Sequence, residues 1–500
     1  MFGTSGIRGP IGDVVTARLA LDVGRAIGVD AESVVVGRDA RVTGGVLADA
    51  VSVGLREFGV DVVRLGVVST PTLARSVQWL GVDAGVGVTA SHNPAPDNGI
   101  KLWNPSGQAF TPTQTDRIER LIPTPDVEGG SLTDDLESAS WDEFGNERVV
   151  DDLSSRHVAR LVHSFATVMT SVEKSPTVRN PLESPVEKSS IEPAPKPLSD
   201  LSVVVDLGNG TGRVTVDALY ELGATVHTLD AQRDGRFPAR KSEPNAETLT
   251  ALRSAVPALD ADLGIAHDGD ADRMVAVTGD GEYVAGDLLL ALFARNAIEM
   301  DDARDAVEMD EFDGNSDAHS PSPRVAVPVD TSLVVADTVE TAGGDVAYTP
   351  VGDVHVADAA SQERFVFGGE PSGAWIWPDE TLAPDGHYAA LHLAMLVVQN
   401  GALASLLEPI RAAEYVTRRA NVEVENKTEA MNAIERVLRE RYDDIDTIDG
   451  LRVDTDGGWF LVRPSGTEPL VRVTAEAREE GLAVDLLESA LAVVNDETSR

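Results

Sequence analysis

Short apolar runs, many of them β-branched and closed by glycine or aspartate, alternate along this chain with amphipathic stretches of helical period, a pattern that predicts α/β layers. Val34-Val35-Val36 runs into Gly37-Arg38-Asp39, Val203-Val204-Val205 into Asp206-Leu207-Gly208, and Leu333-Val334-Val335 into Ala336-Asp337. Each reads as a strand followed by a helix, so three related α/β units are expected, although the repeat is too faint in sequence to prove duplication. From about Val416 the pattern changes to a strand, a helix (Thr428 to Arg441), strands around Leu451 and at Trp459–Val462 and Leu470–Ala475, and a closing helix. The fold class expected is therefore α/β, with three related α/β domains built on mixed sheets plus a C-terminal α+β domain. The expected boundaries are residues 1–150, 151–284, 285–412 and 413–500.

Two stretches fall outside the pattern. Residues 175–199 are rich in Pro, Ser, Glu and Lys, and residues 301–323 are acidic with Gly314-Asn315-Ser316 and Pro321-Ser322-Pro323. Neither buries enough apolar surface to offset its ordering entropy, so the first is expected to be a disordered insertion and the second an acidic one.

At 500 residues the chain exceeds what one hydrophobic core supports, while 42% hydrophobic and 25% charged residues are near the globular average. The charge balance is unusual: 41 Lys+Arg against 83 Asp+Glu give a net charge of −42. That sign repels nucleic acid and anionic membranes, so neither is an expected partner. A lysine-poor acidic surface also points to a protein kept soluble in concentrated salt, as in a halophilic archaeon. The absence of cysteine excludes disulfides, thiolate metal sites and cysteine nucleophiles. Neither a leader pattern nor a run of about 18 apolar residues is present, so the expected location is the cytoplasm.

Five motifs that follow or nearly follow apolar strands carry candidate chemistry, and in open α/β sheets such loops face a common crevice. In Thr89-Ala90-Ser91-His92-Asn93-Pro94, small residues before the serine and a proline after it suit a tight turn that presents a nucleophilic hydroxyl; a turn held by local hydrogen bonds is the alternative. Asp268-Gly269-Asp270-Ala271-Asp272-Arg273 sets three carboxylates at alternate positions, a donor set for a hard cation such as Mg²⁺. A calcium EF-hand would need glycine at Arg273 and glutamate at Gly279, so that reading fails, and a solvated acidic turn is what remains against it. Glu370 and Ser372, in Phe367-Gly368-Gly369-Glu370-Pro371-Ser372-Gly373, can bind adjacent sugar hydroxyls, or the segment is a hairpin turn. Arg463-Pro464-Ser465-Gly466-Thr467-Glu468-Pro469 joins a guanidinium, hydroxyls and free amides into a nest for a phosphate dianion. Lastly, Gly3-Thr4-Ser5-Gly6-Ile7-Arg8-Gly9 offers Arg8 to stabilise transferring charge, with Lys101 as phosphate ligand or proton shuttle. Gly208-Asn209-Gly210-Thr211-Gly212 reads as a tight strand-to-helix turn.

Taken in order, these motifs resemble the α-D-phosphohexomutase family of phosphoglucomutases, phosphomannomutases and phosphoglucosamine mutases, and the match spans almost the whole chain. The resemblance implies four domains around a central cleft and interconversion of hexose 1- and 6-phosphates through a phosphoserine and a hexose bisphosphate. It places the phosphoserine on Ser91, one Mg²⁺ on Ser91, Asp268, Asp270 and Asp272, and catalytic roles on Arg8, Lys101 and His92. Substrate contacts fall on Arg273, Glu370, Ser372, Arg463, Ser465, Gly466, Thr467 and Asn93. The implied partners are small sugar phosphates, with the chain acting as a monomer or homodimer.

The sequence departs from several family branches after Glu-Pro-Ser-Gly, where Ala374 and Trp375 replace a histidine to which proton transfer is sometimes given. Lys101 then becomes the stronger proton carrier, with His355 and His387 as alternatives. Val351-Gly352-Asp353 resembles a segment found in phosphoglucosamine mutases among others and tilts the sugar slightly toward glucosamine. Phosphoglucomutase or phosphomannomutase activity, a sugar phosphatase and a silent sugar-phosphate binder stay open as alternatives, the last two opposed by the distal phosphate loop and by the intact Ser91 and aspartates.

Overall fold

The computed structural model describes residues 2–3, 6–122, 138–171, 196–311, 322–465 and 469–498. In the first unit Ser33–Arg38 lies parallel between Asp61–Val67 and Ala84–Val88, and Asp97–Trp103 returns antiparallel beside Ala84–Val88. In the second, Ser202–Asp206 lies parallel between Thr225–Leu229 and Leu263–His267, with Met274–Thr278 returning antiparallel. In the third, Arg324–Pro328 lies parallel between Asp345–Thr349 and Phe365–Gly369, and Trp375–Ile376 returns. The spatial order, second-first-third-fourth, is the same each time. Ile7–Pro10 and Glu147–Val149 extend the first sheet at its two edges to 6 strands. The repeat that the sequence shows faintly is thus explicit in the topology.

This equivalence has a functional consequence. The turns between third and fourth strands hold Ser91 in the first unit, Asp268 to Asp272 in the second and Glu370 with Ser372 in the third. Three dissimilar motifs occupy one structural position, outside the carboxyl ends of parallel strands where α/β sheets collect ligands.

Two expectations are corrected in the third unit. Leu333-Val334-Val335 opens the helix Leu333–Thr341, whose N-cap Ser332 accepts from the Val334 amide; the strand is Arg324–Pro328. An apolar run of three does not separate a buried strand from the buried face of a helix, and here the cap decides. The expected acidic insertion is helical in its first part, since Gly286–Glu311 continues through Asp301 to Glu311 on residues that are mostly good helix formers. Residues 312–321 lie outside the described residues, as do 172–195. At the end of the other expected insertion, Leu198 is buried and its amide donates to the Leu222 carbonyl at 3.1 Å, so residues 196–199 belong to the second unit's core.

One buried apolar cluster runs without a break through the second and third units, from Val203 and Ile265 to Phe367 and Leu391. The C-terminal domain is an antiparallel sheet in the order Val416–Glu423, Leu470–Ala477, Gly458–Pro464, Leu451–Thr455, with Lys427–Arg441 and Glu480–Thr498 in its core. It meets the third unit where Val329 packs with Trp459 and Leu461, and where buried Arg452 donates to the Val329 carbonyl at 2.5 Å. Among the described residues no single helix is long and apolar enough to cross a membrane; Gly386–Asn400 and Leu403–Arg411 would be so only together, and they meet at 91°.

Candidate active site

Ser91 sits at φ +47, a left-handed backbone that a non-glycine residue adopts only when its surroundings impose it. The Thr89 hydroxyl accepts the Ser91 amide at 2.9 Å. Beneath the loop lies Arg41, fully buried, which donates to the carbonyls of Ser91 (2.9 Å), Asn93 (2.6 Å), Pro94 (2.6 Å) and Asp97 (2.9 Å) and to the Asp39 carboxylate (3.1 Å). All five guanidinium donors are used, which a lysine could not do. From the second unit the Ser242 hydroxyl donates to the Ser91 carbonyl at 2.7 Å. Gly269 is forced by the same closeness: a Cβ there would stand 2.8 Å from that carbonyl.

The hydroxyl so presented points at the aspartates. Ser91 Oγ donates to Asp268 Oδ2 at 2.5 Å and stands 3.3 Å from Asp272 Oδ1. One oxygen from each of Asp268, Asp270 and Asp272 falls within 4.8 Å of the others, and all three residues are buried. Asp270 Oδ2 is held by the hydroxyls of Thr70 (2.7 Å) and Thr89 (2.8 Å), while its Oδ1 is buried without a hydrogen-bond partner. Burial, with Asp270 beside it, pushes Asp272 up to about 6; burial and then Asp272 and Asp270 push Asp268 well above the ordinary carboxylate range. An all-oxygen donor set, crowded, buried and with one oxygen unsatisfied, fits a hard divalent cation.

Cations ring this centre. Arg273 is half-buried, and its amide donates to Asp268 Oδ1 at 3.3 Å. Lys101, buried on Asp97–Trp103, forms an ion pair with Asp353 of the third unit. Arg8 lies on the neighbouring strand opposite Gly99, with its Nε buried and unpartnered. His92 Nδ1 is 3.4 Å from Ser91 Oγ, and Arg273 foremost, then burial, Arg8 and Arg41, push this imidazole down to about 2. It is a neutral hydrogen-bonding ring here and not a store of a proton. Asn93 turns its side-chain amide to Asp97 at 3.0 Å, inside its own loop.

In the third unit the Glu370 segment forms the hairpin turn that is one of its two expected readings. The Glu370 amide donates to the Ala374 carbonyl at 2.9 Å to close the turn, and the Ser372 hydroxyl donates to Glu370 Oε2 at 3.1 Å. Glu370 Oε1 accepts the Gly352 amide at 2.8 Å; Gly352 has φ +132, open to glycine alone. Burial, then Asp353, push Glu370 up to about 7.

At the fourth loop, Arg463 pairs with Asp449 at 2.8 Å, and Lys427 Nζ donates to the carbonyl of buried Ser465 at 2.6 Å. Arg463, Ser465, Lys427, His355 and Asp449 line a cavity of about 680 Å³ between the third and fourth domains. Gly466 and Thr467 lie outside the described residues. His387 is not at the cleft: it is buried behind the metal loop, bonded to Thr215 (2.8 Å) and Ser69 (2.9 Å). Gly208 to Gly212 form the tight strand-to-helix turn expected of them. The sequence assigns no site role to Arg41, Ser242, Asp353 or Lys427. Arg41 stands beside Gly37-Arg38-Asp39 and Asp353 closes Val351-Gly352-Asp353, but their partners are remote in sequence.

Comparison with known proteins agrees with this geometry. Four models described as phosphoglucomutase/phosphomannomutase match in order: alpha/beta/alpha domain I at residues 1–128, domain II at 183–281, domain III at 286–413 and the C-terminal domain at 420–492. The chain belongs to the phosphoglucomutase/phosphomannomutase family. Its relatives include a probable phosphoglucosamine mutase of Methanopyrus kandleri, 43% identical over 499 residues that cover 99% of this chain and 97% of the relative. Another, from Methanococcoides burtonii, is 40% identical over 482 residues, 96% of this chain and 95% of the relative. Among solved structures, a phosphoglucomutase/phosphomannomutase family protein of Burkholderia thailandensis superposes with TM-score 0.77 at 25% identity, covering 99% of this chain and 98% of that one. As a family member the protein is a phosphohexose mutase, an isomerase.

Proposed function

We propose that this mutase interconverts the 1- and 6-phosphates of glucosamine through a phosphate carried on Ser91. The observation that supports this most directly is the Ser91 hydroxyl at 2.5 Å from Asp268, inside a carboxylate trio with one unsatisfied oxygen. Asp268, Asp270 and Asp272, with an oxygen of the Ser91 phosphate, would hold Mg²⁺, which when bound supplies charge stabilisation to a transferring phosphoryl group. Arg8 and Arg273 stabilise the same charge from the protein side.

The chain's own groups handle the rest. As the P–Oγ bond of phosphoserine breaks and a bond from phosphorus to a sugar hydroxyl oxygen forms, Ser91 Oγ must gain a proton and the sugar hydroxyl must lose one. Lys101, paired with Asp353, donates to Oγ and takes its replacement from the sugar hydroxyl. The hexose bisphosphate then turns end for end and returns its other phosphoryl group to Ser91. Arg463 and Ser465 grip whichever phosphate is not reacting, and Glu370 and Ser372 hold ring hydroxyls in either orientation.

The sugar assignment rests on Val351-Gly352-Asp353 and on the probable phosphoglucosamine mutases among the relatives. The test is a panel of glucosamine, glucose and mannose 1-phosphates supplied with Mg²⁺ and a trace of hexose bisphosphate. Preferential formation of glucosamine 6-phosphate is expected. Preferential turnover of another hexose phosphate would overturn the sugar assignment, and free inorganic phosphate without a 6-phosphate product would overturn the mutase mechanism.

A further inference from the structure

Asp353 takes its place in the cleft from both neighbouring loops. It is the first residue of the helix Asp353–Ala360, and the Gly352 amide just before it is bound to Glu370, so the two carboxyl groups are tied together at the sugar loop. From the first unit Lys101 reaches across the cleft to pair with it, and this is the contact of the lysine ammonium with a carboxylate. Burial works to raise Asp353, but Lys101, then Arg8 and Arg273, outweigh it and hold the group below the ordinary carboxylate value. Glu370 and Asp272 are the anions facing it. Of the carboxylates around the sugar, Asp268, Asp270 and Asp272 form the cation site and Glu370 is pushed up to about 7 by burial and then by Asp353. Asp353 is the carboxylate next to the sugar loop that already holds a cation, the Lys101 ammonium.

A hexosamine phosphate differs from a hexose phosphate by one ammonium on the ring, and an ammonium taken out of water needs an anionic partner. We propose that Asp353 is the specificity-determining residue for the amino group, through an exchange of ion pairs: Lys101 leaves Asp353 for the phosphoryl group, and the ammonium of the substrate takes its place. Charge is conserved in the exchange, since one cation replaces another at Asp353. A sugar with a hydroxyl at that position offers no replacement, so Lys101 can leave only by stranding a buried carboxylate. This inference rests on the glucosamine reading above and adds the residue that enforces it.

The test measures kcat/KM of the magnesium-loaded full chain for glucosamine 1-phosphate and glucose 1-phosphate, in the native protein and in Asp353→Asn. Both activities fall in the variant, because Lys101 loses its partner, but the ratio between the substrates is expected to fall about 10- to 100-fold, the scale of one lost charged hydrogen bond. An unchanged ratio in a folded variant overturns the inference and leaves the glucosamine reading intact. A native enzyme that prefers glucose 1-phosphate overturns the reading itself. A second measurement needs no variant: in the native protein the ratio should decline as pH rises through the titration of the substrate's amine, and a ratio that ignores that titration also overturns the inference.

Discussion

The Ser91 and metal loops are fastened to each other and to what lies beneath them, whereas among the described residues the Val351 segment beside the sugar loop and Arg463 of the phosphate loop meet at the carboxylate of Asp449. On the first side, Arg41 and Ser242 hold the Ser91 backbone, and Thr70 and Thr89 hold Asp270. His267 donates from Nδ1 to the Arg273 carbonyl at 2.8 Å and is linked through Thr215 to His387 and Ser69. On the second side, Asp449 accepts both the Val351 amide at 3.0 Å and the Arg463 guanidinium at 2.8 Å. Bond making and breaking at Ser91 gains from groups that need no reorganisation. A bisphosphate that has to turn over in the cleft requires the opposite from the groups that release and regrip it.

The largest blow to the fastened side is loss of its reacting atom. Ser91→Ala should lower turnover by about four orders of magnitude or more, as removal of a nucleophile does elsewhere, and intact mass after incubation with hexose bisphosphate should show no added phosphate. Normal turnover would remove Ser91 from the mechanism. Next comes Arg41→Met, which strands the buried Asp39 carboxylate and frees four carbonyls; a loss on the order of 3 kcal/mol is expected in urea unfolding. Arg41→Lys should recover little of it, since an ammonium cannot reproduce the fork. If Lys restores full stability, the fork geometry is not what holds the loop.

How much of this was readable beforehand follows from where partners lie. Ser91, the three aspartates, Glu370 and Ser372 were legible because each motif is contiguous and its chemistry lies in its own residues. Arg41 was not, because its acceptors are backbone carbonyls 50 or more residues away, which leave no side-chain signature. Asp353 carries no site signal in sequence because Lys101 is 252 positions distant. The α/β alternation gave the three units, but the short run at Leu333 was read as a strand since it lacks the length that separates strand from helix. The helix through Asp301–Glu311 was hidden because acidic composition alone looks like an insertion.

On the adjustable side, Glu370 offers a test in pH. Its folded value of about 7 stands above the ordinary 4.5, so its contribution to stability is full below about 4.5 and is lost as pH rises through 7. The loss should be on the order of 3 kcal/mol at most. Substrate hydroxyls need the ionised form, so kcat/KM should rise over the same interval. The deprotonation that readies the sugar loop also weakens the fold. Glu370→Gln should flatten both profiles and lower kcat/KM about 10- to 100-fold, the scale of charged hydrogen bonds to substrate. A stability profile unchanged by the substitution would show that another group titrates there.

The smallest effect is expected at Asp449, whose carboxylate accepts from both Val351 and Arg463. Asp449 occupies the guanidinium of Arg463, so under the function proposed above it competes with the substrate phosphate that it helps to position. Asp449→Asn keeps an oxygen for the Val351 amide and removes the charge. KM for the sugar phosphate and the inhibition constant of inorganic phosphate should both fall about 2- to 5-fold, as suits a partly exposed ion pair, with kcat little changed. If both constants rise instead, Asp449 is holding Arg463 in the orientation that phosphate needs, and the adjustable side is more nearly preformed than its few contacts imply.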